Sequence, residues 1–254
     1  MEGNLTPRER YVRRMFDSIA PHYDAFNLLA TAGLLRLWQR ALSAQTGLVS
    51  GDRALDVCAG TGQLTRLLAR RVHPGGRAVG LDFSPEMLEV ARRRLSGDPA
   101  WPAVQLLPGN ALELPFPPAT FDAVTMGFAL RNIPRIQRAV AEMARVAAPG
   151  GRVLILELSR PPGRMIRVPY YFYLFRILPR LGRLVELMTG ADRLRPYAYL
   201  PHSLIPLPDP DAIAEMMRRS GLSRVGYTYL TGGIACLHRG VKTEDTAVPA
   251  PDPQ

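Results

Sequence analysis

The chain has 254 residues, of which 47% are hydrophobic and 21% are charged, and these proportions are typical of a soluble globular protein. Its net charge of +10 favours an anionic partner, which can be nucleic acid, a membrane surface or an acidic metabolite. Two cysteines without metal-ligand spacing exclude a disulfide framework, and we expect no metal site. A polar start and the lack of an apolar run of about 18 residues argue against a signal peptide and a membrane-spanning helix.

The first 50 residues have the pattern of amphipathic helices. Val12, Met15, Phe16 and Ile19 recur at helical spacing, and a second helix is predicted over 34–48. Residues 22–27 between them are interpreted as a polar and aromatic joint. We predict that residues 1–50 form a helical lid on the domain that follows.

Residues 51–240 alternate between strand and helix patterns. Strands are predicted at 53–58, 77–82, 103–107, 121–127, 151–158, 222–230 and 233–239. Helices are predicted at 62–72, 85–96, 134–147 and 210–220. Alternating units with continuously apolar strands predict an α/β fold, with a mostly parallel seven-stranded sheet covered by helices on both faces. The last two strands are close enough in sequence to be antiparallel.

Two segments depart from this alternation. An insert over 159–209 holds the aromatic run 168–175, with several arginines around it. It is interpreted either as a buried helix packed on the lid or as an apolar surface for a greasy substrate or a bilayer. Residues 241–254 are polar and rich in proline, so we predict a disordered tail.

The residues 53–63, R-A-L-D-V-C-A-G-T-G-Q, predict a strand, a glycine turn and the start of a helix. Glycines at 60 and 62 let the backbone pass close to a ligand, and the first N–H groups of the helix attract a carboxylate or phosphate. Asp56 on the strand is expected to hold the turn through backbone N–H groups. An ordinary strand-to-helix turn is the alternative interpretation.

Polar residues at the next two strand ends extend this site. Asp82 lies about 20 residues beyond the turn, where an acid can accept both hydroxyls of a ribose. Asn110, followed by Ala111, ends the third strand and can hydrogen-bond an adenine edge. A dinucleotide site requires a small residue at position 65, where this chain has Thr65, so S-adenosylmethionine fits the turn better than a nicotinamide cofactor.

Motifs along nearly the whole chain resemble the ubiquinone/menaquinone biosynthesis C-methyltransferase family, whose members are class I methyltransferases with a Rossmann-like fold. The matching stretches are 15–20 with Tyr23-Asp24, 60–62, 81–88, 114–116, F-A-L-R-N at 128–132, P-G-G at 149–151, Y-A-Y-L at 197–200 with Ser203, and 230–240. The Arg131-Asn132 loop, the Tyr199 segment and the C-terminal ending are the most specific of these. The family usually has an acid at position 63, where this sequence has Gln63.

The resemblance implies that S-adenosylmethionine is the cofactor and that Thr61, Asp82, Asn110 and Ala111 bind it, beside Gly60, Gly62 and Asp56. It also implies that the acceptor is a polyprenylated hydroquinone, with demethylmenaquinol favoured over a benzoquinol. The partner is then a membrane-derived quinol. We expect a cytoplasmic protein, with peripheral contact to the inner face of an anionic membrane as a further hypothesis.

The catalytic candidates are Arg131, Asn132, Tyr23 and Tyr199. Arg131 suits stabilisation of a phenolate-like oxygen, because a guanidinium stays charged, and Asn132 can hydrogen-bond the second oxygen. Asp24 and His202 are further candidates for a proton relay. In the alternative interpretation Arg131 pairs with a surface acid and Asn132 caps the next helix.

Other function classes remain open at this point. An RNA methyltransferase would share the sheet, but no RNA-binding appendage is recognised, so no nucleic acid is expected. A nicotinamide dehydrogenase is disfavoured by Thr65. The sequence leaves the oligomeric state open.

Overall fold

The computed structural model describes residues 6–189 and 204–243. Their strands form one seven-stranded sheet in the order β3-β2-β1-β4-β5-β7-β6. The first five strands are parallel, and β7 is antiparallel to both β5 and β6. The strands are β1 Arg53–Val57, β2 Arg77–Asp82, β3 Val104–Pro108, β4 Phe121–Gly127, β5 Ala147–Leu158, β6 Leu222–Leu230 and β7 Ala235–Lys242.

Helices cover both faces of this sheet. Over the described residues they are α1 Pro7–Ile19, α2 Tyr23–Ala30, α3 Leu34–Gln45, α4 Gln63–Val72, α5 Pro85–Leu95, α6 Ile136–Val146, α7 Arg164–Phe172, α8 Leu178–Thr189 and α9 Pro210–Arg219. A π-helical segment, Tyr173–Ile177, joins α7 to α8. Short polar side chains fix several helix starts, as where Ser84 accepts a hydrogen bond from the backbone N–H of Met87 at the start of α5.

The alternation of side chains along the strands explains the two apolar layers. Leu55 and Val57 of β1 belong to one buried cluster, whereas Ala54 belongs to the cluster on the opposite face. In β5, Ile155 and Leu154 divide in the same way. Burial on both faces is what a parallel sheet between helical layers requires. The prediction of an α/β fold with a mostly parallel seven-stranded sheet is therefore confirmed.

The residues before the sheet form three helices. The predicted joint at 22–27 is wrong, because α2 begins at Tyr23 and runs to Ala30. Its aromatic residues hid a helical repeat, in which Phe26 is buried three residues after Tyr23. The helix predicted over 34–48 ends earlier, at Gln45.

Hydrogen bonds connect these helices to distant parts of the chain. Trp38 Nε1 on α3 donates to Thr231 Oγ1 over 2.9 Å, and the Tyr173 hydroxyl donates to the carbonyl of Ala30 over 2.7 Å. The amino-terminal helices therefore contact both the insert and the turn between β6 and β7.

Three other boundaries differ from the sequence predictions. β5 begins at Ala147, because that residue already pairs with Phe121 before an irregularity in the register. α6 begins at Ile136 rather than at 134. β7 runs to Lys242, into the stretch predicted as a tail, and residues 244–254 lie outside the described part of the chain.

The sheet order reverses direction between β1 and β4, which pair with each other in parallel. In open α/β sheets, ligands bind at the carboxyl ends of the strands beside such a reversal. We therefore expect the ligand-binding site among the residues that follow β1, β2, β3 and β4.

Candidate functional site: two adjoining cavities at the strand ends

Two residues just beyond β1 and β4 adopt unusual backbone conformations. Cys58 has φ 59° and Phe128 has φ 58°, both in the left-handed region that side chains other than glycine rarely enter. Each conformation costs about 1–3 kcal/mol, and such strain persists mainly where the site needs it. Both residues line the cavities described below.

The glycine turn leaves open space on one side and packs tightly on the other. Gly60 has φ 54°, and nothing lies within 4 Å of the place where its Cβ would be. Gly62 has φ 75°, and a Cβ there would lie 2.9 Å from Leu95 Cδ1. Gly60 therefore keeps room for a ligand, while Gly62 lets α4 and α5 approach each other.

Asp82 lies at the end of β2 and is almost completely buried. Its carboxylate accepts hydrogen bonds from the backbone N–H of Gly60 at 2.8 Å and of Ser84 at 2.9 Å. Burial raises its pKa to about 6, because desolvation disfavours the charged form more than the hydrogen bonds restore it. A carboxylate at this position can accept the two hydroxyls of a ribose.

Asn110 and Ala111 follow β3 and line the same cavity as Asp82. The side-chain oxygen of Asn110 accepts a hydrogen bond from the N–H of Leu112 at 3.0 Å, and this bond stabilises the loop after β3. Ala111 is buried. The structure thus brings together the turn, the acid and the amide that the sequence placed at three strand ends.

Asp56 lies beneath the turn, and its environment differs from the expected one. Its two oxygens accept hydrogen bonds from the hydroxyls of Thr65 at 2.7 Å and Thr125 at 3.2 Å. Asp56 is expected from the sequence to hold the turn through backbone N–H groups, but the N–H of Gly60 donates to Asp82 instead. The backbone contact of Asp56 is with Thr65 in the first turn of α4. Burial raises the pKa of Asp56 to about 7.

Thr61 connects the turn to the amino-terminal helices. Its hydroxyl donates to Asp24 Oδ1 over 2.7 Å, and the amide of Gln63 donates to the same oxygen over 2.5 Å. Arg94 on α5 forms an ion pair with Asp24 and donates to the carbonyl of Thr61. Asp24 is therefore a fixed contact between α2 and the turn in this structure.

Arg131 is held by a buried acid rather than by the surface acid of the alternative interpretation. Its Nη1 lies 2.6 Å from Glu157 Oε1, and its backbone N–H donates to Oε2 of the same residue at 3.2 Å. Nη1 also donates to the carbonyl of Phe128. These contacts fix the guanidinium at the end of β5.

Asn132 does not cap the next helix. α6 begins after Arg135, and no side chain there makes a capping hydrogen bond. Instead Asn132 lines the cavity that contains Asp82, and its buried Oδ1 has no hydrogen-bond partner among the described residues. Asn132 therefore lines the cavity of Asp82, whereas Arg131, the preceding residue, does not.

Two cavities meet at this edge of the sheet. The first, about 90 Å³, is lined by Asp82, Asn110, Ala111 and Asn132, and by the side chains of α1. The second, about 420 Å³, lies between α2, α3, α7 and α8, and its lining is predominantly apolar. The residues shared by both are Tyr23, Cys58, Gly60, Gly127 and Phe128. A reaction between ligands in the two cavities would take place beside these residues.

Tyr23 lies at this junction as the first residue of α2. Burial raises the pKa of its hydroxyl, so the phenol stays protonated at neutral pH. Its ring packs edge-on against Phe16 of α1, with ring centroids 6.0 Å apart. The structure therefore places Tyr23 between the two cavities, where the sequence could not position it.

Tyr170 is a site residue that the sequence did not single out. It lies on α7, lines the second cavity and is 8% exposed. Its hydroxyl has no hydrogen-bond partner among the described residues. The signal available in the sequence was the four-residue spacing of Tyr170, Leu174 and Leu178, all of them buried. Tyr199 and His202 lie outside the described residues.

The part of the chain that the structure describes holds neither a cluster of metal ligands nor a membrane-spanning helix. Within 6–189 and 204–243, no group of three or more His, Cys, Asp or Glu side chains is arranged to hold a metal ion. In the same ranges, no helix is both long and apolar enough to cross a membrane.

Comparison with known proteins assigns the chain to a family. Residues 5–242 match the model of the ubiE/COQ5 methyltransferase family. The chain belongs to the ubiE/COQ5 methyltransferase family. A demethylmenaquinone methyltransferase from Symbiobacterium thermophilum is 43% identical over 238 residues, which is 94% of this chain and 95% of that protein. A ubiquinone/menaquinone biosynthesis C-methyltransferase from Pseudomonas paraeruginosa is 39% identical over 235 residues, which is 92% of this chain and 90% of that protein.

Solved structures agree on the fold of this ubiE/COQ5 family member. An S-adenosylmethionine-dependent methyltransferase from Aquifex aeolicus superposes with a TM-score of 0.60 at 18% identity, covering 86% of this chain and 97% of that one. The predicted Rossmann-like methyltransferase fold is confirmed. The chain is a methyltransferase with S-adenosylmethionine as its cofactor, and the nicotinamide alternative is set aside.

The site fits this cofactor on observations of its own. Gly60 leaves open space where a side chain would stand, and Asp82 presents a buried carboxylate to the same cavity. Asn132 adds a buried oxygen without a partner among the described residues, which a ligand N–H can satisfy.

Proposed function

We propose that this protein methylates a ring carbon of a polyprenylated hydroquinone and that the acceptor is demethylmenaquinol. The observation that carries the proposal is the large apolar cavity that adjoins the cofactor cavity and has Arg131 and Tyr170 in its wall. A prenylated quinol matches this cavity, because its ring carries polar oxygens that can face Arg131 and Tyr170 and its tail is apolar like the rest of the lining. The relatives named for menaquinone biosynthesis support the choice of ring.

When bound, S-adenosylmethionine supplies an electrophilic methyl group carried on a positively charged sulfur. In this proposal Asp82 accepts the ribose hydroxyls, while Asn110, Ala111 and Asn132 surround the nucleoside. Gly60, at the junction of the two cavities, and Thr61, in the wall of the second, would border its amino-acid end at the start of α4, while Gly62 shapes the turn between them and the helix. Asp56 acts indirectly by holding Thr65 and Thr125 beneath the turn.

The acceptor carbon is a poor nucleophile until the neighbouring quinol hydroxyl, with a pKa near that of tyrosine at about 10, loses its proton. Arg131 would stabilise the resulting negative oxygen, because its guanidinium remains charged and Glu157 holds it in place. Tyr23 would exclude water at the junction of the two cavities. Tyr199 remains a proposed catalytic residue on the sequence alone.

The prenyl tail would occupy the apolar part of the second cavity. Its lining includes Leu34, Trp38, Leu174, Leu178 and Leu181. Leu29 lines the same cavity and is 55% exposed, so the cavity reaches the surface beside α2. This opening would admit a chain drawn from a lipid bilayer.

We also propose that the insert docks on the surface of an anionic membrane. Met165 and Phe172 on α7 are 91% and 61% exposed, and Phe175 of the π-helical segment is exposed as well. Five exposed arginines lie along the same segment, at Arg164, Arg167, Arg176, Arg180 and Arg183. Apolar side chains beside cations are the pattern of helices that bind at the interface of a bilayer.

The function is tested with labelled S-adenosylmethionine and two reduced acceptors, demethylmenaquinol and its benzoquinol counterpart, in detergent. We expect a product of demethylmenaquinol that carries one labelled methyl group on the ring. If the benzoquinol were methylated faster, the acceptor would instead be a quinol of ubiquinone biosynthesis, and the proposal of demethylmenaquinol would be wrong. Labelling of bulk tRNA, with neither quinol methylated, would contradict the proposal.

A further inference from the structure

The hydroxyl of Tyr170 is buried in the wall of the second cavity without a hydrogen-bond partner among the described residues. Buried polar groups nearly always have a partner, because leaving one unpaired costs the full free energy of removing it from water. An unpaired phenol in a cavity wall therefore indicates that an atom of a bound ligand accepts its hydrogen bond.

The neighbouring tyrosines differ from Tyr170 either in the hydrogen bonding of the hydroxyl or in their position relative to the cavity. The Tyr173 hydroxyl, in the same cavity, donates to the carbonyl of Ala30 at 2.7 Å and so has a structural task. Tyr171 packs its ring against Tyr170, with centroids 5.9 Å apart, but does not line this cavity. Only Tyr170 of this trio combines a place in the cavity wall with an unpaired hydroxyl.

The charges around Tyr170 indicate which atom it would bind. Arg131 lines the same cavity and exerts the strongest charge effect on the pKa of Tyr170, which it lowers, while Glu157, the ion-pair partner of Arg131, acts in the opposite direction. Burial outweighs that effect and raises the pKa well above its ordinary value, so the phenol keeps its proton. Tyr170 is consequently a permanent donor in the wall of the same cavity as a fixed guanidinium.

The local backbone also fits a functional role. Tyr170 follows Pro169 inside α7 and precedes the π-helical segment Tyr173–Ile177. Such π-helical turns are rare and occur frequently at functional sites, because they change the direction in which side chains project. In this chain the π-helical segment begins three residues after Tyr170.

We infer that Tyr170 is a catalytic residue whose hydroxyl donates a hydrogen bond to the quinol oxygen beside Arg131. The hydrogen bond strengthens as that oxygen loses its proton to a base and becomes negative, and Tyr170 keeps its own proton throughout. The inference rests on the proposed function, because it requires a hydroquinone in the second cavity. It assigns to the insert a part in the chemistry in addition to its contact with the lipid tail.

The test compares Tyr170→Phe with Tyr171→Phe, which removes a hydroxyl outside the cavity. We expect Tyr170→Phe to lower kcat by about 10-fold to 100-fold, because a donor to a charged oxygen is lost. The acidic limb of its pH–rate profile should move to higher pH, since the bound quinol becomes harder to deprotonate. Tyr171→Phe should keep the wild-type rate and profile.

Two further measurements separate chemistry from folding. The Tm of Tyr170→Phe should equal or exceed that of the wild type, because its hydroxyl has no partner to lose among the described residues. Its affinity for S-adenosylhomocysteine, measured by calorimetry, should not change. If Tyr170→Phe lowered both Tm and kcat, the hydroxyl would have a structural role, and the inference would be overturned.

Binding of menaquinone, followed by quenching of Trp38 fluorescence in the same cavity, completes the test. We expect weaker binding by Tyr170→Phe than by Tyr171→Phe. If the wild type methylates the quinol and Tyr170→Phe matches it in rate, profile and binding, the inference fails while the function stands. If the wild type neither binds nor methylates any quinol, both fail together.

Discussion

At the scale of single residues, the carboxylate of Asp82 links the cofactor site to pH. It accepts hydrogen bonds from Gly60 and Ser84, and burial raises its pKa to about 6. The ionised form accepts both ribose hydroxyls, whereas in the protonated form one oxygen carries a proton and acts as a donor. The ionised carboxylate, which binds the ribose, is therefore present above a pH of about 6 and is lost as the pH falls through that value.

We therefore predict that affinity for S-adenosylhomocysteine is about tenfold weaker at pH 5 than at pH 7.5, as calorimetry can measure. Asp82→Asn should bind weakly at both pH values, because the amide cannot change its charge. An affinity that stays constant for the wild type across this range would show that Asp82 is not the group that binds the ribose.

Some site residues follow from the sequence, and others depend on register. Gly60, Asp82 and Asn110 lie at the ends of consecutive parallel strands, and such ends always meet at one edge of the sheet. The pair of Arg131 and Glu157 depends instead on the alignment of β4 with β5, in which Gly127 lies opposite Leu156. That alignment results from packing across the whole sheet, so no local pattern reveals the pair.

At the scale of secondary-structure elements, the contact between α2 and the glycine turn is the feature with the clearest consequence. Asp24 accepts hydrogen bonds from Thr61 and Gln63 and forms an ion pair with Arg94. These partners come from the turn, from α4 and from α5 respectively. Gln63 is a donor here, whereas an acid at position 63 would repel the carboxylate of Asp24.

Removing this acceptor should loosen α2 without unfolding the sheet. We predict that Asp24→Ala speeds amide hydrogen exchange over α2 by about tenfold or more, because three donors lose their shared partner. Asp24→Asn should have a smaller effect, since it keeps an acceptor oxygen and loses only the ion pair. Exchange in β1 and β4 should stay unchanged.

The matched control is Glu215→Ala on α9, which removes exposed ion pairs with Arg218 and Arg219 far along the chain. It should leave exchange over α2 at the wild-type rate. Equal exchange over α2 in Asp24→Ala and the wild type would mean that apolar packing alone holds this helix.

The element scale also shows why α2 and the insert were hard to predict. Aromatic residues occur in helices and strands alike, so Tyr23 and Phe26 gave no periodicity by themselves. In the insert, Tyr170 and Leu174 are buried while Phe172 and Phe175 are exposed. The two interpretations of this stretch, as a buried helix and as an apolar surface, therefore describe different faces of the same helices.

At the scale of the whole molecule, a net charge of +10 and one exposed apolar surface suggest a preferred orientation on a bilayer. The apolar side chains on α7 and the exposed arginines of the insert supply both kinds of contact. Such contacts weaken with salt, because ions screen the arginines from lipid phosphates.

We predict that the protein floats with vesicles that contain phosphatidylglycerol at low salt and is released at high salt. Phe172→Asp should weaken this binding, because it places a charge in the apolar surface. Val49→Asp makes the same change at a side chain that is 63% exposed just before β1, at the opposite edge of the sheet, and should bind as the wild type does. Equal flotation by both variants, or none by the wild type, would exclude this docking surface.

The central claim is that the two cavities hold the cofactor and a prenylated quinol on either side of Tyr23 and Phe128. A crystal structure with S-adenosylhomocysteine and a short-chain menaquinone tests it most directly. We predict the ribose on Asp82, the quinone ring beside Arg131 and Tyr170, and the prenyl chain along Trp38. A quinone found outside the second cavity, or a nucleoside found away from Asp82, would contradict the account.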